Sequence, residues 1–233
     1  MIRHNVKKIE RVFIKDEAYD ILEKNIINGT LKPNTRLKIS ELSEHLGISK
    51  TPVREAILRL ENEGLVVSKA NQWTIVAPIK KDSVKDIYPL VYTLEAYCLR
   101  EAFPHIDDAL IRELQEVNDE IRDANESDHQ SAILELDNQF HDLMIDRAGN
   151  EEVKPILESL KKKLQRLELL FYTSKDIHEI PSSYVEHESL IHALEHRDLD
   201  GALQALKVNW TNVFDKESLK RLTETDTYRD YFI

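Results

Sequence analysis

With 233 residues, 41% of them hydrophobic and 32% charged, the chain is long enough for two ordinary domains and has the balance of a soluble globular protein. No apolar run approaches the roughly 18 residues that a bilayer span needs, and the opening MIRHNVKKIERV has no apolar signal region, so a cytoplasmic protein without a membrane partner is expected. The net charge of -11 is unevenly spread: residues 1–80 hold 14 Lys and Arg against 10 Asp and Glu, leaving +4, while the rest holds 18 against 33, leaving -15. Nucleic acid is therefore expected to meet the first part and to be repelled by the second. The single cysteine, Cys98, can close no internal disulfide; among Leu94, Ala96, Leu99 and Ala102 it reads as a small core residue.

Residues 1–14 carry Lys7, Lys8 and Arg11 as a short basic arm. From Lys15 to Asn28 the apolar positions Ala18, Tyr19, Ile21, Leu22, Ile26 and Ile27 follow a helical period that Asn28-Gly29 ends. The stretch from Ser40 to Val66, SELSEHLGISKTPVREAILRLENEGLV, predicts two short helices around a turn. Ser40 is expected to cap the first and Gly47 to stop it, Ser49 to cap the second, and Pro52 to lie in the second's first turn, where a missing N–H costs nothing. The second helix is expected to turn Val53, Ile57, Leu58 and Leu60 inward, with Lys50, Thr51, Arg54 and Arg59 among its other positions. A helix, a glycine turn and a second helix with a basic, polar start is what a major-groove reader requires. Val66-Val67-Ser68 and Thr74-Ile75-Val76 then read as a two-stranded wing. Residues 1–78 are thus expected to be a winged helix-turn-helix domain that meets double-stranded DNA through Arg36, Ser49, Lys50, Thr51, Arg54, Asn71 and Gln72.

After a short linker at Pro78 to Lys81 only amphipathic helices follow, at about Asp82–Phe103, Asp107–Ala124, Asp128–Ala148, Asn150–Tyr172, Ser182–His196 and Leu199–Arg221. The fold class expected is mostly α, with the winged domain followed by an antiparallel six-helix bundle over residues 79–233. Lys161-Lys162-Lys163 reads as an exposed turn of helix, and Glu116, Asp119, Glu120 and Asp123 as a solvated face. Tyr228, Tyr231 and Phe232 in the tail can pack back or stay loose. Asp137 and His141 are four apart, so they share a helix face and could hold one divalent cation, although such a pair is more often a surface hydrogen bond. His187 and Asn209 lie 22 apart across the last two helices, where a hairpin brings them level. His192 and His196 point away from the His187 face.

The run GISKTPVREAILRLENEGLV resembles the recognition-helix signature of the GntR family of bacterial transcription regulators. LDNQFHDLMIDRAGN at Leu136 to Asn150, and YVEHESLIHALEHRDLDGALQALKVNW at Tyr184 to Trp210, resemble the FCD effector domain of that family's FadR branch, in its six-helix VanR-like group. The resemblance implies a non-enzymatic regulator, a repressor that binds a palindromic operator as a homodimer and responds to a small metabolite such as an organic acid. It also implies metal ligands at four positions, here Asp137, His141, His187 and Asn209, around zinc or nickel, with the effector pocket formed by the same residues. Asn209 offers only a neutral carbonyl oxygen where the family pattern has imidazole. Val91 stands where related proteins place an arginine, and the wing has no glycine at its tip. Three other readings compete: a metal-free polar pocket, a regulator whose metal site is non-functional, and an all-α metalloenzyme with a DNA-binding appendage. Against the last, no paired general acid and base stands at a persuasive spacing.

Overall fold

Apolar spacing and breakers produce the first element much as the sequence predicts, an α-helix α1 (Ile14–Ile27) that buries Ala18, Tyr19, Leu22 and Ile26. The computed structural model describes residues 13–70, 72–80, 83–126, 130–173, 183–212, 224 and 228–233, so the basic arm and Asn71 lie outside the described residues. The chain divides into two compact units, Met1–Ala77 and Pro78–Ile233.

In the first unit α1 packs on α3 (Lys50–Asn62), with α2 (Ile39–Leu46) against α3 and a hairpin of β1 (Val66–Lys69) and β2 (Trp73–Val76) beside it. The hairpin is antiparallel, pairing Val66 with Val76 and Lys69 with Trp73. Tyr19, Leu22, Val53, Leu60, Leu65 and Val76 form its core. Each such fully buried side chain contributes on the order of 1.5–3 kcal/mol.

Local chemistry departs from the sequence reading at three places. α2 starts before Ser40: Lys38 takes the N-cap position with extended backbone, and its ammonium pairs with Glu41 at 2.6 Å. Ser40 is therefore inside the first turn, where its hydroxyl cannot cap. Ser49 does hold the N-cap position of α3, yet its side chain makes no capping bond. Leu58 is not inward but 58% exposed, because the stripe Val53, Ala56, Ile57 and Leu60 already spans the buried face and residue 58 falls about 100° outside it. Gly47 closes α2 in the left-handed region at φ 66, where a side chain would be strained although the space around it is open.

The second unit is a bundle of α4 (Ser83–Ala102), α5 (Asp108–Glu126), α6 (Gln130–Arg147), α7 (Val153–Thr173), α8 (Ser183–Glu195) and α9 (Leu199–Asn212). α8 and α9 form a hairpin, α5 packs on α6 and α8, and α4 lies against α6, α7 and α9. Val91, Leu99, Leu114, Phe140, Leu157 and Leu206 are core residues, and so is Cys98, whose thiol burial pushes up to about 11. The tail packs back: Ile79 pairs in parallel with Phe232, which lies against Leu167 and Leu170. Among the described residues no helix is long and apolar enough to cross a membrane. The architecture is thus mostly α, a winged helix-turn-helix unit and an all-helical unit.

Candidate functional site

Two sets of polar residues stand out, one on the surface of the first unit and one inside the second. In the first, the apolar stripe of α3 fixes which residues face out. Ser49, Lys50, Thr51 and Arg54 are all exposed at the start of the helix. Lys50 and Arg54 are four apart and share one face. Among the described residues no ion pair ties up either cation. Arg59, further along, is differently used: it stacks on the Tyr19 ring at 3.6 Å and pairs with Asp16 and Glu63. It braces α1 against α3. Arg36 reaches the turn of the hairpin, where its guanidinium donates to the Gln72 carbonyl at 2.9 Å. The fold thereby brings Arg36 and the exposed Gln72 together, while Trp73 pairs with Lys69 at the strand end.

In the bundle, α6 carries Asp137 and His141 on one face and α8 supplies His187. A carboxylate oxygen and a nitrogen from each imidazole lie within 4.8 Å of one another. His141 Nε2 is 4.0 Å from Asp137 Oδ2, and His187 Nε2 is 3.6 Å from Asp137 Oδ1. Both gaps are too long for a hydrogen bond. Both Nε2 atoms are buried without a hydrogen-bond partner. An unsatisfied buried polar atom costs about 1–3 kcal/mol, so two of them aimed at one carboxylate form a local defect in an otherwise packed interior.

The surroundings of each imidazole are specific. His141 Nδ1 lies 2.7 Å from Glu95 Oε2, an ion-pair contact bent away from ideal hydrogen-bond geometry. The same Oε2 accepts a hydrogen bond from Trp210 Nε1 at 2.8 Å, and Oε1 is 2.8 Å from Lys161 Nζ. Burial works to raise the Glu95 pKa, but the positive groups of His141 and Lys161 hold it down at about 2. Burial likewise works to lower the pKa of His141, and the Glu95 charge outweighs it, so the net shift is upward. His187 differs: it stacks on Phe140 with centroids 3.8 Å apart, and burial pushes its pKa down to about 3. It is neutral.

Asn209, the fourth position, is buried on α9, and its amide nitrogen donates to Glu186 Oε2 at 3.2 Å. That leaves only its carbonyl oxygen for any ligand. Val91 is fully buried in the core. His192 and His196 are exposed and stack on each other at 4.2 Å, outside this cluster.

The donor set, two imidazoles and one carboxylate, suits zinc or nickel. The two orphaned Nε2 atoms are the observation that fits an ion. Ligands about 2.1 Å from a shared ion stand closer together than these do, so the three groups would have to draw in.

Four residues of this environment escape the sequence reading: Glu95, Asn118, Lys161 and Trp210. Lys161 in particular is not on an exposed turn. It is 6% exposed, facing α4 across the bundle, and it is bound to Glu95 and, at 3.3 Å, to Asp142. A triple lysine hides the difference between neighbours, because 161 falls on the apolar stripe of Leu157 and Leu164 and its two successors do not. Asn118 gave a usable signal, lying four residues after Leu114 on the buried face of α5.

A family model described as FCD domain matches residues 86–211, and one described as bacterial regulatory proteins, gntR family, matches residues 14–76. The HTH-type transcriptional regulator YdhC of Bacillus subtilis (strain 168) is 28% identical over 89% of this chain and 92% of its own. The HTH-type transcriptional repressor RspR of Escherichia coli (strain K12) is 25% identical over 94% of this chain and 93% of its own. Among solved structures, E. coli McbR/YncC superposes with a TM-score of 0.76 at 24% identity, covering 94% of this chain and 99% of that one, a likeness of fold.

Proposed function

Because the chain belongs to the gntR family of bacterial regulatory proteins and carries an FCD domain, we propose that it is a repressor whose grip on DNA is set by a ligand inside its bundle. That it is a DNA-binding transcription regulator follows from the family. The finer reading is a homodimer on a palindromic operator. In it residues 1–78 read the DNA, and residues 79–233 dimerise and hold a divalent transition metal together with a small polar effector such as an organic acid. Repressors among its relatives support the sign of the response.

In the reading unit, Lys50 and Arg54 enter the major groove, Arg54 being able to take guanine O6 and N7 with both guanidinium arms. Arg36 and Gln72 lie beside the hairpin turn and contact phosphate or the adjoining groove, with Ser49, Thr51 and Asn71 completing the set. In the bundle, Asp137, His141 and His187 hold the ion, with Asn209 as a weak fourth donor through its carbonyl. A bound ion supplies a concentrated positive charge that can anchor the oxygen of an acidic effector. The protein's own part is to keep His187 neutral and His141 oriented, and to exclude water from their contacts.

The observation that carries the metal reading is the pair of buried, unpartnered Nε2 atoms facing Asp137. The test is operator affinity by fluorescence anisotropy, on a duplex selected from random sequence, with the full chain stripped of metal and then given zinc or nickel, followed by small carboxylic acids. The reading expects at least a fivefold change in Kd on adding ion, acid or both, the lower end of ordinary allosteric coupling. An affinity indifferent to every addition would sink the sensor and leave a constitutive DNA binder.

A further inference from the structure

In neither imidazole of the cluster is the Nδ1 proton free to leave its place. Glu95 is an acceptor only, so the nitrogen of His141 that faces it, Nδ1, carries the proton and Nε2 is turned to Asp137. The carboxylate is held from three sides, by His141 on α6, Lys161 on α7 and Trp210 on α9, while its own backbone is on α4. On the other side, Asn118 Nδ2 donates to the Tyr184 carbonyl at 2.9 Å. A carbonyl can only accept, so the amide of Asn118 has one orientation and its Oδ1 faces His187 Nδ1 at 3.1 Å. His187 Nδ1 must then be the donor, which leaves the Nε2 lone pair aimed at Asp137.

We propose that Glu95 and Asn118 are positioning residues that hold a proton on Nδ1 of both imidazoles, so that Nε2 of each is the atom offered to an ion, and that the neutral amide behind His187 makes it the weaker of the two metal donors. The proposal rests on the metal reading above. A carboxylate behind a ligating imidazole raises its basicity, whereas an amide oxygen orients the ring with little added charge. His141 and His187 are thus chemically unequal, although both are histidines that face the same carboxylate. The arrangement also joins the whole bundle to the cluster: Glu95 reaches it from α4, α7 and α9 through His141, and Asn118 from α5 through His187. An ion there would tie α6 to α8 directly and the other four helices through these two residues.

The test uses the full chain with 15N-labelled histidine, stripped of metal, and reads the tautomer of each buried ring from long-range proton–nitrogen couplings. Wild type is expected to show Nδ1–H for His187. Asn118→Ala is expected to show a mixture of both forms and to bind zinc about 10–100-fold more weakly, the usual loss for a group behind a ligand. Asn118→Asp is expected to restore the single tautomer and to bind zinc at least as tightly as wild type. A role in packing alone predicts no change of tautomer and no rescue. His187 found as Nε2–H in wild type, or Asn118→Ala unchanged in both readouts, would overturn the proposal. So would Asn118→Asp, folded by circular dichroism, binding as poorly as Asn118→Ala. If Asn118→Asp does not fold, the tautomer and affinity of Asn118→Ala decide. Wild type that binds no zinc but shows the expected tautomers would end the metal reading while leaving the fixed orientation intact.

Discussion

The exposed start of α3 and the buried cluster between α6 and α8 use charged and polar residues in opposite ways. Lys50 and Arg54 stand in water on a helix whose other side is held by Val53, Ala56, Ile57 and Leu60, so they carry no part of the fold. Glu95, Lys161, His141 and His187 are buried and each is held by, or faces, another polar group of the set. Their charges have been taken out of water, and their mutual contacts must offset that cost. On the surface, the proposed reading role and stability can be separated by mutation; inside the bundle the charges of the proposed ion site also hold the helices together.

The largest expected effect tests the interior half of this contrast. Lys161→Met removes one partner of a buried ion pair and should cost about 3–5 kcal/mol of unfolding free energy, read from urea denaturation. A loss below about 1 kcal/mol would mean that Glu95 is adequately held by Trp210 and His141 alone. Arg54→Ala tests the surface half. It should weaken specific operator binding by about 1–3 kcal/mol while moving the unfolding free energy by no more than about 0.5 kcal/mol. A folded Arg54→Ala protein with undiminished operator affinity would remove Arg54 from the reading set.

A partly buried carboxyl on α7 sharpens the comparison through pH. Glu168 on α7 accepts a hydrogen bond from the Tyr88 hydroxyl at 2.8 Å. Burial raises its pKa from the usual 4.5 to about 7; the Tyr88 bond works against this, and the charge of Asp137 adds to it. A carboxyl with a raised folded-state pKa favours the folded protein while protonated. That contribution is complete below pH about 4.5 and is lost as pH rises through about 7. Glu168→Gln should therefore gain stability relative to wild type at pH 8, by on the order of 1 kcal/mol after allowance for its partial exposure, and little at pH 4. Equal offsets at the two pH values would show that Glu168 titrates normally. The smallest effect concerns Leu58: as an exposed residue, Leu58→Ser should change stability by within about 0.5 kcal/mol, whereas Ile57→Ser next to it should cost several.

The helices were legible because clear breakers bound each and most carry a 3.6-residue apolar pattern, so α4 to α8 begin and end within three residues of the sequence reading. α9 starts where expected and runs to Asn212, and residues 213–221 of its predicted span fall outside the described residues. The capping residues were less legible. Ser40 and Ser49 have the right chemistry, but α2 begins at Ile39, and the Ser49 hydroxyl makes no capping bond. A propensity describes what a residue can do at a position, and tertiary packing chooses the position.

The sequence by itself determined the two-part, mostly α architecture and which side of α3 faces solvent, apart from Leu58, since these depend on periodicity within single helices. It also put Asp137 and His141 on one face of α6, a consequence of four-residue spacing. Only the tertiary structure decided what stands behind them. Glu95 comes from 46 residues before His141, and Asn118 from 69 before His187. No local pattern records which helices will be neighbours, and buried charges such as Lys161 read as surface until their partners from other helices are in place.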